Sequence, residues 1–260
     1  MKSRKFMKIV NGVAATWLIG ALSSTAFAQE IINPATRNDK GVWSVEAVAA
    51  RSEIAYGPVV ERTVLGGTLA LGISPVMDVF AVVGAITDSK MAGGSINMDG
   101  LSVSKTEGDG LLFGAGARYL FHEKDKMKAY AYGMLRLTTE ELEHTWNGRF
   151  YGTMIYGSKD VTIETTELIG GIAASYQAKD NLELYGSLSI VPYSDITVKN
   201  EEKIEFDQYR FGGEYGYSFK RADIFSPRLG LVYHKEPFWL RAELTLIGEE
   251  TLLVSAGRSF

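Results

Sequence analysis

Residues 238–260 read FWLRAELTLIGEETLLVSAGRSF and close the chain on an aromatic residue. Phe238, Leu240, Ala242, Leu244 and Leu246 alternate with Trp239, Arg241, Glu243 and Thr245, the period-two pattern of a strand with one apolar face. A second such run follows at once. With Gly248, Glu249 and Glu250 as a three-residue hairpin loop, Leu246 faces Leu252, Leu244 faces Val254, Ala242 faces Ala256 and Phe238 faces Phe260. The apolar face then continues across the turn.

The same alternation recurs through the chain. In 42–50, Trp43, Val45, Ala47 and Ala49 oppose Ser44, Glu46, Val48 and Ala50; further on, Leu65, Leu69, Leu71 and Ile73 oppose Val64, Gly66, Thr68 and Ala70. A five-residue connection, 74–78, leads into a strand at 79–86. Leu111, Phe113, Tyr119 and Phe121 then oppose Gly114, Gly116 and Arg118, and Leu135 and Leu137 oppose Tyr132, Met134 and Arg136. Leu168, Ile172 and Tyr176 oppose Glu167, Gly171 and Ser175, while Leu184, Leu188 and Ile190 oppose Glu183, Tyr185 and Ser187. In 208–219, Tyr209, Phe211, Tyr215, Tyr217 and Phe219 share a face opposite Gln208, Arg210, Glu214 and Ser218, and a short strand at 228–234 precedes the terminal hairpin. Residues 88–109 form a long, polar, Gly-rich segment, and 140–160 admits either a large loop or an extra strand at 149–156.

Composition agrees with many strands: 28 Gly, 13 Tyr and 12 Phe against 6 Pro. The absence of Cys removes disulfides, thiolate metal sites and cysteine nucleophiles together. Lys2, Arg4, Lys5 and Lys8 precede an apolar stretch from Ile9 to Leu22 and then Ala26-Phe27-Ala28, the pattern of a secretory signal peptide cleaved after Ala28. That stretch is short of the roughly 20 residues of a membrane-spanning helix. Removing 1–28 takes away four basic residues and no acidic ones, leaving 23 basic against 31 acidic, a balance of −8 that gives no support for nucleic-acid binding. Residues 29–41 read as a polar periplasmic leader.

A secretory leader followed by amphipathic strands, the last ending flush on Phe260, resembles the small porin-like outer-membrane β-barrel proteins of the Gram-negative cell envelope. The resemblance covers 42–260 and implies a single antiparallel up-and-down transmembrane β-barrel in the bacterial outer membrane. It further implies that Phe260 belongs to the strand recognised by the barrel assembly machinery, and that periplasmic chaperones and outer-membrane lipid are partners. The match departs at Arg258, which occupies the apolar face. Eleven strands are clear, whereas a barrel with both ends on the periplasmic side needs an even number. Twelve is favoured, with 149–156 as a strand, and ten is the alternative if two segments near Pro237 are one. The final strand is expected to pair with 42–50.

Alternation does not by itself tell inside from outside. The polar face carries Gly66, Gly114, Gly116 and other small residues among single charges, and Tyr119, Phe121, Tyr176, Tyr217, Phe219, Tyr233, Phe238 and Phe260 recur near strand ends on the apolar face. Both features turn the apolar face towards lipid and the aromatics towards the membrane interfaces. The lumen then receives Glu46, Arg118, Arg136, Glu167, Glu183, Arg210, Glu214, Arg228, Arg241 and Glu243, five acidic and five basic. Such a balance suits a lumen plugged by ion pairs or a narrow, poorly selective passive channel for small solutes. No enzymatic activity is expected, because His122, His144 and His234 are each followed by residues other than the His-x-Ser pair that the barrel phospholipases and deacylases resemble one another in using. Asn97, Asp99, Glu107 and Asp109 lack the spacing of a calcium loop, so neither metal nor cofactor is expected. A surface-binding or adhesin barrel acting through its loops, and a rim hydrolase, are the alternatives.

Overall fold

Eleven antiparallel strands carry this alternation in the computed structural model, which describes residues 38–54, 60–91, 102–150, 153–206, 209–219, 225–245 and 250–260. They are β1 (Trp43–Ile54), β2 (Val60–Ser74), β3 (Met77–Met91), β4 (Ser102–Lys124), β5 (Met127–Phe150), β6 (Thr153–Lys179), β7 (Leu182–Phe206), β8 (Tyr209–Phe219), β9 (Ser226–Lys235), β10 (Phe238–Thr245) and β11 (Glu250–Ser259). Residues 1–28, expected from the sequence to be a signal peptide, and most of 29–41, expected to be a leader, lie outside the described residues. Hairpin neighbours pair in sequence, β1 pairs with β11 from Ser44↔Ser259 to Glu53↔Glu250, and β6 pairs with β7, so the sheet closes.

The ring has ten strands, the alternative count, and the favoured twelve is not found. The physical reason lies in β7. Its residues 182–189 pair with β9 and its residues 196–206 pair with β8, so β8 and β9 occupy successive stretches of one strand edge. β9 carries the ring on to β10, while β8 stands outside it. The extra segment expected at 149–156 is not a separate strand: residues 149–150 end β5, residues 153–156 open β6, and Phe150 pairs with Thr153. Pro192 lies between the two halves of β7, and Leu168↔Tyr193 is followed by Gly170↔Ile190, one extra residue on β7. This β-bulge reverses which residues point inwards: 185, 187, 189 and 191 are buried below it, and 194, 196, 198, 200 and 202 above it.

The terminal hairpin pairs Leu244 with Leu252, Ala242 with Val254, Leu240 with Ala256 and Phe238 with Arg258. That is a two-residue shift from the register expected of a three-residue loop. β10 ends at Thr245, and the connection is therefore longer. A shift of two preserves the faces, so the apolar side is unaffected.

The faces are inverted relative to a water-soluble barrel. Leu65, Val83, Phe113, Leu135, Ile172, Leu229, Leu240 and Leu252 are all about half exposed, while Arg136, Glu167, Asp78 and Arg228 are 0–2% exposed. Trp43, Tyr119, Phe121, Tyr176, Tyr233, Phe238 and Phe260 ring the outer surface near one end, where Arg258 stacks on Phe238 and Phe260 at 5.3 and 4.7 Å from the ring centroids. Arg258 thus keeps its charge at the interface, which accommodates it on an apolar face. Tyr217 and Phe219 belong to β8, which is not a strand of the ring.

The girdled end also holds the connections 75–76, 125–126, 180–181 and 236–237, each of two residues, with Asp125 in the left-handed region (φ 52°). Short turns mark the periplasmic end. At the opposite end β4, β5, β6 and β7 run 23, 24, 27 and 25 residues, against 10, 8 and 10 for β9, β10 and β11. About 10 residues suffice for a tilted strand to cross the hydrocarbon, so more than half of β6 and β7 stands beyond it. Together with β8 these upper halves form an extracellular extension, and their outer face turns charged, with Glu141, Glu143, Asp160, Glu164, Lys199, Glu201 and Lys203 exposed.

Candidate functional site

The lumen is built from the inward side chains, and its charges are paired. At the periplasmic end Arg118 and Asp78, directly opposite on β4 and β3, make a two-pronged pair, with Arg118 Nε donating to Asp78 Oδ1 at 3.0 Å. Asp78 also accepts the backbone N–H of Asn38 at 3.2 Å, and the Asn38 amide donates to Ser44 Oγ at 2.8 Å. The last leader residues are thus stitched to the lumen floor, where Gly41 N–H also donates to Gly72 O at 2.8 Å. In the middle, Arg136 and Glu167 face each other on β5 and β6, with Nε at 3.1 Å from Oε2. A larger network joins Arg241 to Glu46 (3.0 Å) and Glu243 (3.6 Å), and Glu243 to Arg228 (3.2 Å) and the Tyr185 hydroxyl. Near the outer mouth Arg62 of β2 meets Glu140 of β5 at 2.9 Å.

Two contacts cross the lumen. A ring of ten strands about 4.8 Å apart, tilted by about 40°, has a backbone diameter of about 20 Å, and strands three places apart are about 16 Å from each other. Arg228 on β9 nevertheless donates to the Tyr132 hydroxyl on β5 at 2.7 Å, three places away around the ring. Arg62 and Glu140 span the same interval from β2 to β5. An Arg and a second long side chain meeting head to head bridge such a chord.

Aromatic rings fill much of what is left, and glycines make room for them. Phe80, Tyr132, Tyr185 and Trp239 each lie over the residue directly opposite on the next strand, which is Gly116, Gly171, Gly230 and Gly257 respectively. A Cβ at those glycines would come within 2.1–2.6 Å of the ring. These four glycines are therefore sockets for rings. Val64, Val82, Ile86, Leu112, Met134 and Ile169 add an apolar layer within the same interior.

Glu46, Arg118, Arg136, Glu167, Arg228, Arg241 and Glu243 lie in this interior, each 5% exposed or less. Glu183 sits at the periplasmic rim, half-buried, facing His234 Nε2 at 3.2 Å. Arg210 and Glu214 do not reach the lumen: they are exposed on β8, outside the ring, and Arg210 pairs with Glu205 at 3.0 Å. In their place stand Arg62, Asp78 and Glu140. Each lies just beyond a strand as local sequence bounds it, yet one more step of the period reaches it: Arg62 precedes Val64, Asp78 precedes Phe80, and Glu140 follows Thr138. Among the described residues the buried lumen charges then number five Arg and five carboxylates. Arg suits such pairs because its planar fork bonds a carboxylate at two points.

On the inner face of the extension, His144, Lys159, Glu202 and Gly213 form a row across β5, β6, β7 and β8, with Leu142, Val161, Asn200 and Tyr215 in the next. Burial lowers the Lys159 ammonium pKa against the partial restoring pull of Glu202, and burial together with the Lys159 charge lowers that of His144. Burial raises the Glu202 carboxyl pKa, opposed by Lys159. Asn97 and Asp99 lie outside the described residues, and Glu107 and Asp109 are exposed on β4.

A closed antiparallel ring with a lipid-facing apolar belt and an aromatic girdle is the fold of a transmembrane β-barrel. Solved structures similar to it include the translocator domain of the autotransporter NalP from Neisseria meningitidis, at 10% identity over 97% of this chain and 98% of that one, with a TM-score of 0.44. A major outer membrane protein from Thermus thermophilus is similar at 16% identity over 84% and 98%, TM-score 0.39. The N-terminal β-barrel domain of Pseudomonas aeruginosa OprF is similar at 11% identity over 86% and 100%, TM-score 0.31. No protein-family profile matches the sequence, and no curated protein does.

Proposed function

We propose that the protein is a structural outer-membrane barrel with a closed lumen, passing small solutes poorly and without strong charge selection. The observation that carries this is the pair of bonds across the lumen, Arg228 to Tyr132 at 2.7 Å and Arg62 to Glu140 at 2.9 Å, among rings seated on glycines. Equal numbers of buried Arg and carboxylate leave no net field to favour one ion sign. Catalysis is no part of this role.

In planar bilayers the purified protein should show low, poorly selective conductance. The double variant Arg62→Ala/Arg228→Ala, which cuts both chords, should conduct several-fold more. A large, steady, strongly cation-selective conductance from the unmodified protein would overturn the proposal. A second reading, a barrel that binds ligands at the cell surface, is favoured by the extension, since strands of 23–27 residues far exceed what crossing the membrane requires.

A further inference from the structure

β8 ends the sheet. It pairs with β7 from Ile196↔Phe219 to Phe206↔Tyr209, and among the described residues no strand pairs with its other edge. On that side the ring continues as β9, β10 and β11, of 10, 8 and 10 residues, and β9 meets β7 only at 182–189, so β8 stands above them. An 11-residue strand with an open edge offers a row of backbone N–H and C=O groups to a chain that can pair with it. Edges that must stay single carry Lys, Pro or a bulge as protection. YRFGGEYGYSF has no Lys and no Pro, and its pairing with β7 runs without a register shift.

This edge fits a second copy of itself. Two copies related by a twofold axis normal to the sheet pair antiparallel, and opposite residues then share a face. With Gly212 on the axis, residues 209–215 of one copy run against 215–209 of the other. Arg210 then faces Glu214 of the second copy on the outer side, twice, and both residues are exposed. The Arg210 guanidinium bonds Glu205 of its own chain through Nε at 3.0 Å, and its terminal nitrogens suit a second carboxylate. On the inner side Phe211, 51% exposed, faces Gly213 of the second copy, also twice. Among the described residues nothing lies within 4 Å of where a Cβ on Gly213 would be. The pairing therefore repeats the packing of the lumen, where Phe80, Tyr132, Tyr185 and Trp239 each lie over the glycine directly opposite. The register that puts Tyr215 over Gly213 instead sets Glu214 against Glu214 of the second copy, and like charges directly opposite are destabilising.

The axis also fixes where the second copy comes from. A twofold normal to the barrel wall lies parallel to the membrane, so it inverts the second barrel. Outward residues change from Leu168 and Tyr193 to Glu164 and Lys199, which places the membrane surface across β7 between Tyr193 and Lys199. Gly212, opposite Lys203, stands about seven residues higher, or about 18 Å at 3.3 Å per residue and a tilt of about 40°. Two membranes facing each other across the pair are then about 35 Å apart, and the tips of β5, β6 and β7, about 30 Å high, fit between them.

We infer that β8 is a homotypic docking edge, pairing antiparallel about Gly212 with β8 of a second copy anchored in a facing membrane. The pairing rests on the surface-binding reading of the extension.

The chain has no Cys, so introduced cysteines report the register. In detergent micelles the full protein should sediment as a concentration-dependent dimer. Oxidising Arg210→Cys together with Glu214→Cys should give a disulfide-linked mixed dimer, and either variant alone should not link. Gly213→Val fills the inner socket and should weaken association by about tenfold or more, with the heat-dependent gel shift unchanged. Glu214→Arg should do the same, and Arg210→Glu/Glu214→Arg should restore the dimer. One chain cannot supply that rescue, because residues four apart on a strand are about 13 Å distant. The two cysteine variants should link when separately grown cells are mixed and pelleted, and should stay unlinked when co-expressed in dispersed cells, since copies in one membrane point the same way. A monomer at every concentration, linkage of Glu214→Cys with itself, absence of rescue, or linkage within dispersed cells would each overturn the pairing. Labelling intact cells that carry Glu214→Cys with a membrane-impermeant thiol reagent separates the two failures. A labelled but monomeric protein defeats the pairing and leaves the extension at the surface, whereas an unlabelled one defeats the surface-binding reading itself.

Discussion

Replacing Arg136 by Met removes one partner of a pair whose side chains are 1% and 0% exposed, leaving the Glu167 carboxylate buried in the barrel wall. The guanidinium bonds Glu167 Oε2 through both Nε and a terminal nitrogen. Stranding one charge of such a pair costs about 3–5 kcal/mol, because the remaining ion has lost both its water and its counter-ion. Removing both charges is a different perturbation. Arg136→Met/Glu167→Leu exchanges the pair for apolar bulk in a position flanked by Met134 and Ile169, 2% and 1% exposed, and should be close to neutral or stabilising by up to about 4 kcal/mol. The double variant is thus expected to be more stable than Arg136→Met by about 3 kcal/mol or more.

The assay is urea unfolding of the barrel in lipid vesicles, followed by tryptophan fluorescence and by the heat-dependent gel shift, on the four corners of the cycle. Arg136→Lys should fall between the parent and Arg136→Met, since it keeps the charge and loses the fork. A cost below about 1 kcal/mol for Arg136→Met would show that water reaches Glu167, the behaviour of an exposed pair, and a packed lumen would be refuted. Additive single costs would refute the coupling.

Two further outcomes follow from the packing and the seam. Gly257→Ala sets a Cβ 2.1 Å from the Trp239 ring, so it should destabilise by about 1–3 kcal/mol in the same urea titration, and relief of that loss by Trp239→Leu would identify the clash as the cause. Deleting Phe260 removes the backbone N–H donated to Trp43 O at 2.8 Å and the ring on which Arg258 stacks, at the point where β11 meets β1; the folded, heat-modifiable fraction in outer-membrane preparations should drop sharply, and normal assembly of the deletion variant would show that the terminal ring is dispensable.

Within the membrane the fold is legible because solvent and lipid leave a strand one pattern, apolar out and small or charged in, from Val42 to Ala50 as from Phe238 to Thr245. The edge rule supplies the closure, since unpaired backbone groups in hydrocarbon are too costly to leave open. Strand ends are less legible. Asp78 reads as a turn residue because it follows Ser74-Pro75, and Glu140 as a loop residue because acidic residues crowd around it, although both continue the inward period. The departure of β8 from the ring has a local sign in Pro192, but a bulge on β7 does not by itself tell which of two later segments will take over its edge.

Above the rim the pattern remains and its meaning reverses. In β6 the apolar residues point outwards at Leu168, Ile172 and Tyr176 and inwards at Val161 and Ile163, with no bulge between Ile163 and Leu168 to change the phase. In β5 the same reversal falls between Leu137, which faces out, and Leu142, which packs inwards. Val161, Ile163, Ile196 and Val198 are 0–2% exposed and form a cluster of their own, while Thr162, Glu164, Thr197 and Lys199 face outwards. Below the reversal the strand is surrounded by lipid, so its apolar side turns out; above it the strand is surrounded by water and its apolar side turns in. A segment that looks too polar for a membrane strand is therefore an ordinary water-exposed sheet continuing the same hydrogen-bond ladders. The position of the phase change, between residues 163 and 168 of β6, marks where the membrane ends.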